Sequence, residues 1–191
     1  NNMNNWNTDN TNPFSVPAPC TLSCSAPPCN NPTIPVATTN PQTVCDGDSV
    51  LMTISGTLND ATMWKIYTGS CGGSLIDSTT GTTAMVAVSA PSTTYFIRGE
   101  GGCVTPGSCG QVTAFGIAND DATFNYPTTS YCTTDGPSTP SATTPNGTYS
   151  SSPAGLSINP STGVITPSTS TPNTYMVYYT TNGTCPSTDS V

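Results

Sequence analysis

The nine cysteines carry the most evident chemistry in this sequence: Cys20, Cys24, Cys29, Cys45, Cys71, Cys103, Cys109, Cys132 and Cys185. Thiols in this number serve either metal chelation or crosslinking. A structural zinc site wants CxxC pairs or Cys/His clusters. Here three residues separate Cys20 from Cys24, four separate Cys24 from Cys29, and the chain has no histidine. In a chain rich in Thr, Ser, Pro and Gly, that pattern points to disulfides made in an oxidising compartment. All nine are assigned to crosslinking and none to a metal. Nine is odd, so not every sulfur finds a partner within one chain.

The missing histidine also removes the commonest general base. No Gly-X-Ser-X-Gly elbow occurs, and a serine nucleophile would have no histidine to activate it. Among the ten acids, Asp120 and Asp121 are adjacent, and Asp46 and Asp48 flank Gly47. Glycoside hydrolysis needs two carboxyl groups facing each other, whereas adjacent residues on a strand point to opposite faces. Calcium needs roughly six to eight oxygens, and only two acids cluster at any point. Glu100, the single glutamate, is expected across a sheet from Lys65 as a surface pair. The expectation is a protein that is not an enzyme, with no catalytic residue, no metal and no cofactor.

Lys65 and Arg98 are the only cations, and the net charge is -8. Nucleic-acid binding needs a basic face that displaces counterions, and an anionic membrane surface repels such a chain. No apolar run approaches the roughly 20 residues of a bilayer span, so no membrane insertion is expected. The sequence opens Asn1-Asn2-Met3, without a signal peptide, and reads as a mature product or a fragment of a longer precursor.

Modification motifs form a further set. Asn146-Gly147-Thr148 and Asn182-Gly183-Thr184 match the N-linked acceptor pattern, although Asn-Gly is also a favoured hairpin turn. Covalent glycans would help so uncharged a surface stay in solution.

The elements that must position these residues are short strands. Ser49–Ile54 alternates, with apolar residues at 50, 52 and 54. Met63–Tyr67 places Trp64 and Ile66 on one face. Ala84–Val88, Thr94–Arg98 and Gln111–Ile117 follow, separated by turn signals such as Gly56, Gly72-Gly73, Pro91-Ser92 and Pro106-Gly107. A leaner second series comprises Ala122–Tyr126, Thr148–Ser150, Leu156–Ile158, Val164–Thr166 and Thr174–Tyr179. No segment shows a capped helical period. Residues 1–35 are Asn-rich, then Pro-rich, and have no apolar period. The chain divides into an extended arm (1–35), a first domain (36–118) and a second domain (119–191) that lacks an evident last strand.

The run Val44-Cys45-Asp46-Gly47-Asp48-Ser49-Val50, then Trp64-Lys65-Ile66-Tyr67, Cys71-Gly72-Gly73 and Thr94-Tyr95-Phe96-Ile97-Arg98-Gly99-Glu100-Gly101-Gly102-Cys103, resembles immunoglobulin-like repeats of very large secreted surface proteins of Bacteroidetes-type bacteria. Tyr131-Cys132, Ala154-Gly155-Leu156-Ser157-Ile158, Thr162-Gly163-Val164-Ile165 and Gly183-Thr184-Cys185-Pro186 are similar to a second repeat type of such proteins. The resemblance covers residues 36–191 and leaves out the arm. It implies an all-β fold of two tandem immunoglobulin-like β-sandwiches, extracellular or on the cell surface. Asp48-Ser49-Val50, Asp77-Ser78-Thr79 and Asp189-Ser190-Val191 resemble the O-glycosylation motif of Bacteroidetes secreted proteins, which makes Ser49, Ser78 and Ser190 candidate acceptors.

In such a sandwich Trp64 takes the central core position, and Tyr95 fits either a tyrosine corner or an ordinary core tyrosine. Strand directions would pair Cys45 with Cys71 at one end and Cys103 with Cys109 across a hairpin. Cys132–Cys185 is the pair available in the second domain, and Cys20, Cys24 and Cys29 remain. The expected function is a structural subunit of an extracellular filament or surface fibre, a head-to-tail polymer of copies of itself in which the arm adds a strand to the incomplete second domain. The alternative is an adhesin or carbohydrate-binding stalk, with Trp6 and Tyr178-Tyr179 as the candidate platform.

Overall fold

The computed structural model describes residues 28–191. Most of the arm, with Trp6, Cys20 and Cys24, lies outside the described residues. The first series of strands is β1 (Val36–Asn40), β2 (Thr43–Cys45), β3 (Ser49–Ser55), β4 (Met63–Thr68), β5 (Ser74–Thr79), β6 (Thr83–Ala87), β7 (Ser92–Glu100) and β8 (Gly110–Ile117). Two sheets result, one of three strands in the order β1-β3-β6 and one of five in the order β2-β8-β7-β4-β5.

Period-two burial explains the layering. In β3, Val50, Met52 and Ile54 point inward while Ser49, Leu51, Thr53 and Ser55 face solvent. Trp64 and Ile66 of β4, Val86 of β6, Tyr95 and Ile97 of β7 and Ala114 of β8 complete one contiguous core. Burial of each large side chain contributes roughly 1.5–3 kcal/mol, which is why alternation alone fixes which face of each strand is inside. β2 runs parallel to the far end of β8, with Cys45 beside Ile117. Gly47, at φ +88°, makes the turn from β2 into β3.

The second series is sparser: β9 (Phe124–Asn125), β10 (Ser141–Ala142), β11 (Thr148–Ser152), β12 (Met176–Thr180) and β13 (Thr188–Ser190), with a 3-10 turn at Pro167–Thr169. β9 pairs with β10, and the other sheet has the order β11-β12-β13. Leu156–Ile158 and Val164–Thr166, expected as strands, contribute only isolated bridges, Ile165 pairing with Ile158 and with Ser138. The second core is Ala122, Phe124, Tyr149, Val177 and Tyr179. Phe124 meets Tyr149 edge-on, with centroids 5.7 Å apart at 78°, and Tyr149 and Tyr179 pack tilted at 4.4 Å.

The expectation of a missing last strand is corrected. β13 returns antiparallel beside β12, pairing Tyr178 with Ser190 and Thr180 with Thr188. Val191 then exchanges both backbone hydrogen bonds with Val177. All three residues of β13 are exposed, so the strand is held by its backbone ladder and a 2.9 Å Thr180–Thr188 hydroxyl pair. No apolar alternation marks it. The place for which strand donation was expected is thus filled by the chain itself.

Candidate functional site

Three disulfides brace the described residues, and none is a pair expected from the sequence. Cys29 bonds Cys103, Cys45 bonds Cys185, and Cys71 bonds Cys109. Strand register supplies the reasons. Cys45 lies beside Ile117 at the end of β8, whereas Cys109 immediately precedes β8, so Cys45 and Cys71 are at opposite ends of that strand. The turn between β4 and β5 reaches across to the start of β8, where Cys71 meets Cys109 and its neighbour Gly72 comes against the Arg98 guanidinium. Cys103, beyond the end of β7, is left facing the incoming segment at Cys29. Cys185 lies at the junction between the two sandwiches, where it takes Cys45 rather than Cys132. Cys132 is exposed and bonds no cysteine among the described residues.

The junction is bonded as well as bridged. Asp120 N–H donates to the Cys185 carbonyl at 2.8 Å, and Gly183 N–H donates to the Asp120 carboxylate at 2.9 Å. Asn119 donates its side-chain amide to the Asp46 carbonyl at 3.3 Å. Asp46 accepts the Ala90 N–H at 2.8 Å. Hydrogen bonds from the Thr123 hydroxyl and N–H hold the Asp121 carboxyl below its usual range. These acids act as turn and junction acceptors. Among the described residues, no three His, Cys, Asp or Glu side chains gather as a metal site would require.

The outer face of the five-stranded sheet gathers both cations onto the one glutamate. Glu100 lies opposite Met63 rather than Lys65. Its carboxylate accepts from Tyr67 at 2.5 Å and Arg98 at 2.6 Å, and pairs with Lys65 at 3.2 Å. Burial alone would raise its pKa, but the bonds from Tyr67, Arg98 and Lys65 outweigh that and hold it low. The expected surface pair is therefore a partly buried four-residue cluster.

A groove of about 600 Å³ opens in the second sandwich. Tyr126, Leu156, Ile165, Tyr175 and Val177 give it apolar walls, and Tyr131 and Thr133 flank Cys132 on its rim. Tyr126 donates to the Gly163 carbonyl at 2.5 Å. Burial, with the neighbouring Tyr149 and Tyr131, pushes its hydroxyl pKa up. The groove lies at the end of β12 away from the junction. Thr180 leads into the Thr181–Gly183 turn beside Asp120, while Tyr175 precedes the opposite end of the strand. Sequence reasoning missed this groove because its walls, from Asn125 of β9 and Val177 of β12 to the loops at 128–133 and 170–175, come together only in the folded chain.

Residues 32–115 match a family model described as Ig-like domain CHU_C associated. This segment is similar to the Ig-like domains of that family. It agrees with the resemblance to Bacteroidetes surface repeats and gives the first sandwich its type. No curated protein matches the chain. The family and the three disulfides indicate an extracellular or cell-surface protein, and no helix among the described residues is long and apolar enough to cross a membrane. Ig-like all-β folds are typically non-catalytic scaffolds.

Within this Ig-like domain Trp64 is buried at the centre of the core, and Tyr95 is fully buried. The Tyr95 hydroxyl donates to the Ala87 carbonyl at 2.6 Å, eight residues upstream, the contact a tyrosine corner makes. The five candidate glycan acceptors, Ser49, Ser78, Asn146, Asn182 and Ser190, are all exposed. Asn146 and Asn182 share one end of the second sandwich, where the Asn182 amide donates to the Asn146 carbonyl at 2.7 Å.

Proposed function

We propose that the chain is a structural subunit of an extracellular filament or cell-surface fibre, assembled head-to-tail from copies of itself and carrying covalent glycans. It acts as building material. It does not catalyse a reaction, bind nucleic acid or insert in a membrane. One observation carries the reading: the molecule has two unlike ends. The N-terminal segment enters beside Cys103, where Asn30 N–H is held by Asp60 at 2.7 Å. The groove opens at the other extremity, beyond the junction. When two different end surfaces meet, the contact is heterologous, and where its rotation does not close a ring it propagates as an open fibre.

The test compares the full chain with residues 28–191. A cut at residue 30 would remove Cys29 and its bridge, so the truncation stops before Pro28. The full chain should sediment as polymers, seen by negative-stain electron microscopy as fibres with a repeat near the length of two sandwiches. The truncated chain should remain a folded monomer. Polymerisation of the truncated chain would remove the N-terminal segment from the role of connector.

A second reading, an adhesin or carbohydrate-binding stalk, is favoured by the three tyrosines around the groove, Tyr126, Tyr131 and Tyr175. Of the platform expected from sequence, Tyr179 is core and Tyr178 is exposed, while Trp6 lies outside the described residues. A glycan-array signal abolished by Tyr175→Ala would favour this reading over the first.

A further inference from the structure

We infer that the groove of the second sandwich is the seat for residues 1–27 of a neighbouring copy, and that seating this segment brings its Cys20 or Cys24 to Cys132. The inference rests on the filament reading and names the contact that would hold the filament together.

The groove cuts into a lean core. The second cluster has five buried residues against twelve in the first, and one of the five, Val177, forms the groove wall together with Tyr126 and Leu156, which pack against the cluster. An occupant with apolar side chains would extend this core. Residues 1–27 contain Met3, Trp6, Phe14, Val16 and Leu22, and prolines at 13, 17, 19 and 27. Pro-rich segments favour an extended form, lose little entropy on binding, and dock in grooves lined by aromatic rings. Tyr126, Tyr131 and Tyr175 supply those rings.

Reach selects the neighbour's segment over the chain's own. The segment is rooted at the Cys29–Cys103 bridge. At about 3.3–3.6 Å per extended residue, Cys24 reaches about 17 Å from Cys29 and Cys20 about 30 Å. The route from Cys29 to the same chain's Cys132 follows β7, roughly 30 Å, and then β12, roughly 15 Å more. An end-on neighbour instead presents its groove beside the root.

The thiol count agrees. Six of the nine sulfurs are in the three bridges, and Cys132 is exposed between two groove-lining residues. Crosslinking two thiols releases two protons and two electrons. The Cys132 thiolate attacks a carrier disulfide, small-molecule or protein, and one carrier thiolate leaves. The thiolate of Cys20 or Cys24 then attacks the Cys132 sulfur of the mixed disulfide and displaces the second, so the carrier disulfide ends reduced to two thiols.

The experiment assembles a mixture of ¹⁴N- and ¹⁵N-labelled full chain in the presence of oxidised glutathione. Expected are a ladder of covalent multimers on denaturing gels without reductant, collapse of the ladder to monomer in Cys132→Ser, and mixed-isotope peptides joining Cys132 to Cys20 or Cys24. Native assembly of Cys132→Ser should persist, and Tyr175→Ala should raise the concentration needed for assembly at least tenfold. An unchanged ladder in Cys132→Ser, Cys132 peptides in same-isotope pairs only, or assembly indifferent to Tyr175→Ala would overturn the inference and leave the filament reading standing. A wild-type chain that never assembles would overturn both.

Discussion

At the residue scale, Glu100 concentrates most of the electrostatics that a chain with two cations can have. Its carboxylate is only 12% exposed and receives Tyr67, Arg98 and Lys65. Hydrogen bonds to charged groups contribute roughly 1.5–3 kcal/mol when partly shielded from water. Because the folded carboxyl titrates below its usual value of 4.5, its stabilisation is complete above that value and is lost as pH falls through the folded pKa. Glu100→Gln should therefore lower the melting temperature by several degrees at pH 7, and the difference from wild type should shrink as pH falls below about 4. Thermal unfolding of the two proteins across pH 2–8 measures this, and a gap independent of pH would refute it. The sequence identified Lys65 and Glu100 as partners by charge alone. It did not reveal Tyr67 and Arg98, because their convergence depends on the register that places Glu100 opposite Met63 and Arg98 opposite Lys65.

At the element scale, what was legible follows from burial. β3, β4, β6, β7 and β8 were readable because each buries alternate side chains in one core. β1, β2, β5 and β13 were not, since edge strands with exposed polar residues owe their place to backbone pairing. The cysteine pairs were misread for a related reason. Pairing depends on where hairpins fold in three dimensions, and spacing does not encode that. The Cys45–Cys185 bridge, 140 residues apart in sequence, ties the strong first core to the weak second one. Loop-closure entropy sets its contribution at roughly 2–5 kcal/mol. The double variant Cys45→Ala/Cys185→Ala should split one calorimetric transition into two, with the second sandwich melting first. A single transition at an unchanged temperature would show that the junction hydrogen bonds alone couple the two units.

At the scale of the whole molecule, sparse cations and interlaced disulfides both bear on resistance to proteolysis. Trypsin has two sites within these 191 residues, after Lys65 and after Arg98. Lys65 is in β4, between β5 and β7, and Arg98 is in β7, between β4 and β8. Both bonds are inside a five-stranded sheet and become cleavable only when the sandwich opens. The native protein should therefore outlast hours of trypsin that digests the reduced, unfolded chain into three pieces. The bridges add a sharper outcome for chain that is unfolded but not reduced. Cuts at both sites leave 1–65, 66–98 and 99–191, yet Cys29–Cys103 and Cys45–Cys185 join the first piece to the third and Cys71–Cys109 joins the second to the third. The nicked chain should run as one species until reductant is added, and then as three. The pairing expected from the sequence would instead release 99–191 at once, because Cys103–Cys109 and Cys132–Cys185 both fall within that piece. One gel, with and without reductant, decides between the two arrangements. If the observed one holds, a single cut anywhere between Cys29 and Cys103 leaves the chain in one piece, a property that the proposed role as a fibre subunit exposed to extracellular proteases requires.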